Sequence, residues 1–140
     1  MSAATTLVDR WTDAFKNGDA EAFVAVYADD AVQEHPFFPA PGRGRADILG
    51  REGGLFSAFS DISLEVRQVI DQGETAVVEA FVHATNTGDI PTPGGMLPAT
   101  GRTISLPMVS IVRFDGDGQV AEEHRYLDVA GFMGQLGVGG

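Results

Sequence analysis

The sequence predicts an α+β fold in which helices pack on one face of a curved antiparallel sheet. Three observations carry that expectation. Apolar residues recur at helical spacing through much of the first half of the chain. They alternate with polar residues through much of the second half. The two regimes also follow one another instead of interleaving, which is the order of an α+β protein and not of a βαβ one.

At 140 residues the expectation is one domain, residues 1–140, long enough to bury a core without disulfides or metals. An apolar content of 44% against 21% charged residues places the chain among folded domains and not disordered segments. There are no cysteines, which removes disulfide and thiolate chemistry and suits a reducing compartment. The formal net charge of −11 argues against nucleic acid and anionic membranes, both of which select basic surfaces. The first residues show no basic region followed by an apolar run, and no apolar stretch approaches membrane-spanning length. The expectation is a cytoplasmic protein.

Leu7, Val8, Trp11 and Phe15 place a helix over Thr6–Lys16, stopped by Asn17-Gly18. Asp19 caps a second helix whose apolar face is Ala22, Phe23, Val26 and Tyr27. Ala31–His35 reads as a short strand, and the run Pro36, Pro39, Pro41, Gly42, Gly44 as a bend. Arg45 to about Ala58 reads as a third helix that Gly53-Gly54 weakens or breaks. Ile62–Ile70 and Thr75–Thr87 read as strands joined by a turn at Asp71-Gln72-Gly73. Gly88–Gly101 is a long irregular connection, read either as a pocket rim or lid or as a floppy hairpin tip. Thr103–Phe114 is a strand in which Pro107 suggests an edge or a bulge. Asp115-Gly116-Asp117-Gly118 turns the chain into a last strand ending at Asp128, and Val129–Gly140 is a short helix or docked segment.

The last strand carries the chemistry. Strand side chains alternate between faces, so Glu122, His124, Tyr126 and Asp128 share one face, and Ala121, Glu123, Arg125 and Leu127 the other. A face bearing two carboxylates, an imidazole and a phenol is either a solvated edge or the wall of a pocket in which protons move.

Thr85-Asn86-Thr87-Gly88, Pro98-Ala99-Thr100-Gly101-Arg102, Glu122-Glu123-His124-Arg125-Tyr126-Leu127-Asp128 and Gln135-Leu136-Gly137 resemble the SnoaL-like polyketide cyclase family. That family belongs to the nuclear transport factor 2-like and ketosteroid isomerase-like superfamily. The resemblance runs from Leu7 to Gly137. It implies a cone, with the curved antiparallel sheet wrapped around about three N-terminal helices. It also implies a homodimer or higher homo-oligomer and no cofactor or metal. The activity it implies is intramolecular aldol condensation of a polyketide ester, with an acid/base aspartate at the position of Asp128. Relatives often read Gly-Thr-His-Thr-Gly where this chain has Ala84-Thr85-Asn86-Thr87-Gly88. Asn86 can hydrogen-bond there but cannot take up a proton.

The expected site follows. Asp128 is the acid/base, its carboxyl raised in pKa if it lies in an apolar hollow, or else a cap for the segment at Val129. His124 relays a proton or fills the sheet face. Tyr126 donates to an enolate oxygen or packs as a half-buried aromatic. Asn86 and His35 are further polar contacts, and Trp11, Phe15 and Phe56 line an apolar cavity or belong to the core. The histidines lack metal-ligand spacing, and no nucleotide-binding glycine motif occurs. The expected partner is a hydrophobic small-molecule substrate. The alternatives are a ketosteroid isomerase-like isomerase and a non-catalytic ligand-binding or dimerisation domain.

Overall fold

The computed structural model describes residues 2–92 and 94–138. Pro93, in the long connection, and the last two glycines of the tail lie outside the described residues. The helices are α1 (Ala3–Asn17), α2 (Ala20–Val24), α3 (Arg45–Ala58) and α4 (Val129–Leu136). The strands are β1 (Tyr27–Glu34), β2 (Gly42–Arg43), β3 (Phe59–Asp71), β4 (Thr75–Asn86), β5 (Ile90–Thr92), β6 (Gly95–Leu97), β7 (Thr103–Phe114) and β8 (Val120–Leu127). Six strands form one curved sheet in the order β2-β1-β8-β7-β4-β3, and β5 pairs with β6 in a small hairpin inside the long connection. This is the predicted α+β cone, with one departure: β1 runs parallel to β8.

Helix α1 begins three residues earlier than the periodicity suggests, because the Ser2 side chain accepts from the Thr5 N–H and caps it. Its stop is the expected one. Gly18 takes a left-handed conformation and its N–H closes on the last turn. Leu7, Trp11, Ala14 and Phe15 form the buried stripe. Trp11 stacks on Phe23 at 5.0 Å between centroids and donates its indole N–H to the Phe23 carbonyl at 3.2 Å. The core therefore satisfies the one polar atom of its largest ring.

Asp19 caps α2 as expected, accepting from the Ala22 N–H. The helix ends at Val24, however, so Tyr27 opens β1 and is not part of a helical face. The strand expected at Ala31 thus starts four residues sooner, which carries the Tyr27 phenol into the sheet interior. Helix α3 passes through Gly53-Gly54 without a break. Gly54 serves packing instead: a Cβ there would stand 3.0 Å from Pro91 Cγ in β5. Pro107 lies in an interior strand, paired with Phe81 of β4 without a bulge. Its missing N–H is tolerated because the β7–β8 ladder begins at Met108↔Leu127, so β7 has a locally open edge there.

One irregularity decides which side chains enter the cone. The even-numbered residues of β7 face inward, with Ile104, Leu106, Met108, Ser110, Val112 and Phe114 all buried. Phe114 pairs with Val120, but Arg113 pairs with Glu122, so Ala121 is an extra residue on β8. From there Val112 faces Glu123, Ser110 faces Arg125 and Met108 faces Leu127. A one-residue slip exchanges the two faces of a strand. Of the two readings the sequence leaves open, the solvated face holds for Glu122, His124 and Tyr126, which are on the outer side, and Glu123 and Arg125 are inside.

Candidate active site

The inward face of β8 meets β1, β7 and α3 in a buried polar cluster. Glu123 is fully buried and takes donors on both oxygens. Its Oε1 accepts from the Tyr27 phenol and from Gln33 Nε2 at 3.1 Å, and its Oε2 from the Ser110 hydroxyl and from Arg125 Nε at 3.0 Å. Arg125 Nη1 also donates to Glu52 Oε1 at 2.8 Å. Gln33 Nε2 reaches the same Glu52 oxygen at 2.9 Å. The guanidinium lies over the rings of Trp11 and Phe23, at 5.5 and 5.3 Å from their centroids, which adds cation–π attraction in a desolvated setting.

Two carboxylates share one cation, and their surroundings push them apart. Burial works against ionised Glu123, but Arg125 and the hydrogen bonds from Ser110, Tyr27 and Gln33 prevail and hold its carboxyl below the usual range. Burial raises Glu52, with the Glu123 charge adding to it, and the opposing pull of Arg125 and Gln33 does not cancel the rise. Burial, with the carboxylate of Glu123 beside it, likewise raises the Tyr27 phenol. Burial opposes the charge on Arg125, yet Glu123 and Glu52 outweigh it and keep the guanidinium protonated. The two neighbouring carboxyl groups are thus pushed in opposite directions, Glu52 upward and Glu123 downward.

Glu52 and Arg125 form the polar wall of a cavity of about 80 Å³. The rest of its lining is almost wholly apolar and includes Phe15, Phe56, Phe59, Ile104, Leu106 and Leu127. Glu52 Oε1 takes both of that residue's donors, so Oε2 has no partner among the described residues. The third polar residue is His35, also buried. Burial, then the positive charges of Arg125 and Arg51, lower its pKa from 6.5 to about 2. Its ring is therefore neutral. Because Nδ1 accepts from the Phe37 N–H at 3.1 Å, the ring proton resides on Nε2, which has no partner among the described residues.

A second hollow of about 240 Å³ lies outside, between residues 36–41 and the end of β8. His124, Tyr126 and Phe38 line it, and His35 and Arg125 line both it and the inner cavity.

Of the residues expected at the site, His35, Phe15 and Phe56 line the inner cavity. Trp11 is completely buried core beneath the guanidinium. Asn86 is structural. Its Nδ2 donates to the carbonyls of Ala58 and Gly88, each at 2.9 Å, and its Oδ1 accepts from the Thr100 N–H at 2.7 Å and hydroxyl at 2.9 Å. It thereby pins both ends of the long connection. His124 lies on the outer side, 2.7 Å from Glu34 through Nδ1 and 2.7 Å from Glu122 through Nε2. Tyr126 is 56% exposed. Asp128 is exposed and caps α4, accepting from the Gly131 N–H at 2.9 Å. It lies past the last strand and outside the lining of the cavity, so Asp128 and His124 do not meet there.

Sequence reasoning missed Glu52, Gln33, Tyr27, Glu123 and Arg125. One signal was available: the even positions of β7, apolar except for Ser110, require an inward partner series on β8, and Glu123-x-Arg125-x-Leu127 supplies a charge pair ending in an apolar residue. Glu52 gave no such signal, because a glutamate beside an arginine on a helix is the usual mark of a solvated face.

The family model of the SnoaL-like domain matches residues 8–123 of this chain. A candidate SnoaL-like polyketide cyclase from Jannaschia sp. CCS1 has a TM-score of 0.80 at 20% identity, over 99% of this chain and 94% of that one. A candidate polyketide cyclase from Xanthomonas campestris pv. campestris gives 0.74 at 25% identity, over 96% of each chain. A protein of ketosteroid isomerase-like fold from Catenulispora acidiphila DSM 44928, solved with trimethylamine, gives 0.75 at 18% identity, over 95% of this chain and 93% of that one. These likenesses show the cone fold. Among the described residues no helix is long and apolar enough to cross a membrane.

Proposed function

This chain belongs to the SnoaL-like domain family, and from that premise we propose that it is a cofactor-free acid/base enzyme acting on a hydrophobic carbonyl compound by intramolecular aldol condensation, as a polyketide ester cyclase does. The observation that carries the reading is the Glu52 carboxyl: buried, raised in pKa, and bearing an unpartnered oxygen at the wall of an apolar cavity. The proton transfer expected of Asp128 passes to Glu52.

In this reading the Glu52 carboxylate removes a proton from a carbon flanked by carbonyl groups. Charge develops on the enolate oxygen, where the His35 Nε2–H donates and Arg125 supplies positive potential. The enolate carbon then attacks a second carbonyl carbon of the same molecule, and a C–C bond closes the ring. The attacked carbonyl's π pair moves onto its oxygen, which takes the proton back from Glu52. Proton transfer of this kind contributes about 10²- to 10⁴-fold, and holding the two ends together contributes the rest. Double-bond isomerisation shares the first step but forms no C–C bond, and the proton returns from Glu52 to a different carbon instead of to oxygen.

A second reading, ligand binding without turnover, is favoured by one observation: Glu52 is held by Arg125 at 2.8 Å, which lowers its basicity. One experiment separates them. In D2O the methylene of 1-(2-naphthyl)butane-1,3-dione, which lies between two carbonyl groups, is followed by NMR for hydrogen–deuterium exchange. The acid/base reading expects exchange promoted by the protein and lost in Glu52→Gln. Binding without promoted exchange supports the second reading.

The homodimer also stays a proposal. It is supported by exposed apolar side chains on the outer sheet face, Ile111 at 38% among them. Light scattering at micromolar concentration tests it, and a monomer refutes it.

A further inference from the structure

We propose that the outer side of the sheet carries a second, hydrolytic site: a relay of Ser105, His83 and Glu65 in which Ser105 is the nucleophile toward small uncharged carboxylic esters. The proposal does not rest on the acid/base reading above, and none of the three residues lines the inner cavity.

Geometry carries the argument. Ala76, Val78, Ala80 and Ala84 of β4 are buried, so His83 lies on the outer side. Ser105 of β7 stands directly opposite it, and Glu65 of β3 flanks it from the other side, paired two residues along with Phe81. The Ser105 hydroxyl lies 2.8 Å from His83 Nδ1, and His83 Nε2 lies 2.9 Å from Glu65 Oε1. A carboxylate only accepts. In the neutral ring Nε2 therefore bears the proton and donates to Glu65, and Nδ1 is left to accept from the Ser105 hydroxyl. A nucleophile on a base, with the base oriented by a third group, is the arrangement that activates a hydroxyl. Its order along the chain is immaterial.

The surroundings fit the same chemistry. Gln135 of α4 holds the Ser105 backbone: the Ser105 N–H donates to Gln135 Oε1 at 2.6 Å, and Gln135 Nε2 donates to the Ser105 carbonyl at 3.1 Å. A side-chain amide nitrogen carries two protons. The second one, without a partner among the described residues, is available beside Ser105 to the oxygen of a tetrahedral intermediate. Strand β3 is bulged between its Ser60↔Thr85 and Ser63↔His83 pairs. Within that bulge Asp61, at φ 51°, is the one non-glycine residue of positive φ among the described residues. Bulges and left-handed non-glycine residues recur beside active sites. Asp61, His83, Ser105 and Gln135 together line an open hollow of about 410 Å³. Ser105 stands about 20 Å along β7 from Ile111 at the usual strand rise, away from the exposed apolar side chains invoked for the homodimer.

In the first half-reaction Ser105 Oγ attacks the ester carbonyl carbon as its proton passes to His83 Nδ1, and the carbonyl π pair moves onto oxygen. The pair then returns, the C–O bond to the alcohol breaks, and the leaving oxygen takes the proton from Nδ1. Water attacks the acyl-serine by the same sequence, which releases the carboxylic acid and restores the hydroxyl. Asp61 on the rim, Glu65 behind the ring and an overall charge of −11 disfavour an anionic ester. Thr85 and Thr103 give the hollow short walls, which suits a small acyl group.

The test uses p-nitrophenyl acetate with the full chain, acid-quenched and read by mass spectrometry with peptide mapping. Acetylation at Ser105 is expected, and its rate should fall at least 100-fold in His83→Gln. Glu65→Gln should slow it as well, and Glu65→Asp should restore part of the rate. The three side chains are exposed or half-buried, so the variants should fold, which matching thermal unfolding curves would verify. Diisopropyl fluorophosphate should modify the same hydroxyl in the parent, a result that needs no variant. Acetyl groups confined to amino groups, Ser105 acetylated equally fast in His83→Gln, or no phosphoryl adduct at Ser105 would each overturn the proposal. Acylation is read at Ser105 and deuterium exchange on the diketone, so either reading can fail without the other.

Discussion

Arg125 Nη1 lies 2.8 Å from Glu52 Oε1, so the last strand and the third helix are joined by a buried ion pair. The same guanidinium holds Glu123 at 2.8 Å through Nη2. Three charges in an apolar interior are tolerable only because each is hydrogen-bonded, and the arrangement fails asymmetrically when one is removed.

Arg125→Met is therefore expected to lose about 3–5 kcal/mol of stability in urea unfolding, the usual penalty for leaving buried carboxylates without their cation. Adding Glu123→Gln to that variant should recover part of the loss. A single variant as stable as the parent would show that the cluster is solvated.

Glu52→Gln removes the raised carboxyl and leaves Arg125 with Glu123. It should lower promoted exchange at least 100-fold with little change in stability. Asp128→Ala should do the converse, keeping exchange and losing about 0.5–2 kcal/mol through the α4 cap. Exchange that survives in Glu52→Gln and vanishes in Asp128→Ala would return the proton transfer to Asp128.

The fold was legible because periodicity reports burial directly: α1 and its glycine stop, the Asp19 cap, the turn at Asp71-Gln72-Gly73 and the alternation of β4 and β7 stand where the pattern places them. The site was less legible for one physical reason. Alternation tells which residues share a face but not which face is inward, and the Ala121 bulge decides that through pairing with β7. For Asp128 the resemblance implies acid/base chemistry and local pattern offers a helix cap, and the chain uses it as the cap of α4. Glu52 is buried by tertiary packing that no local pattern announces.

His35 contributes a pH dependence of defined sign, opposed by Glu52, whose raised carboxyl favours the folded chain as pH falls. The folded pKa of His35, about 2, lies below the unfolded value near 6.5, so the unfolded chain binds the extra proton. Stability from this group is complete above about pH 6.5 and falls as pH drops toward 2, by at most about 1.4 kcal/mol per pH unit. Glu123, with its lowered carboxyl, adds a loss of the same sign at lower pH. Unfolding free energies between pH 6.5 and 4.5 should fall more steeply for the parent than for His35→Gln, and equal slopes would place the imidazole in water.

Gly88 sits where the chain leaves β4, and a Cβ there would collide with the Ser57 carbonyl oxygen. Its N–H donates to the Ala58 carbonyl at 3.1 Å. Gly88→Ala should cost about 1–3 kcal/mol by forcing the strand end away from α3, whereas Gly50→Ala, in open space on the same helix, should not destabilise and, at a helical position, should stabilise slightly. Thermal unfolding of both variants checks the contrast.

Arg51 and Glu52 are consecutive on α3, yet one grips the carbonyls of Ala40 and Pro41 and the other the guanidinium of Arg125. A single helix thus carries both the brace of the outer wall and the carboxyl of the inner one. A displacement of either partner is therefore felt by the other through one rigid element, which couples the proline-rich bend to the buried ion pair.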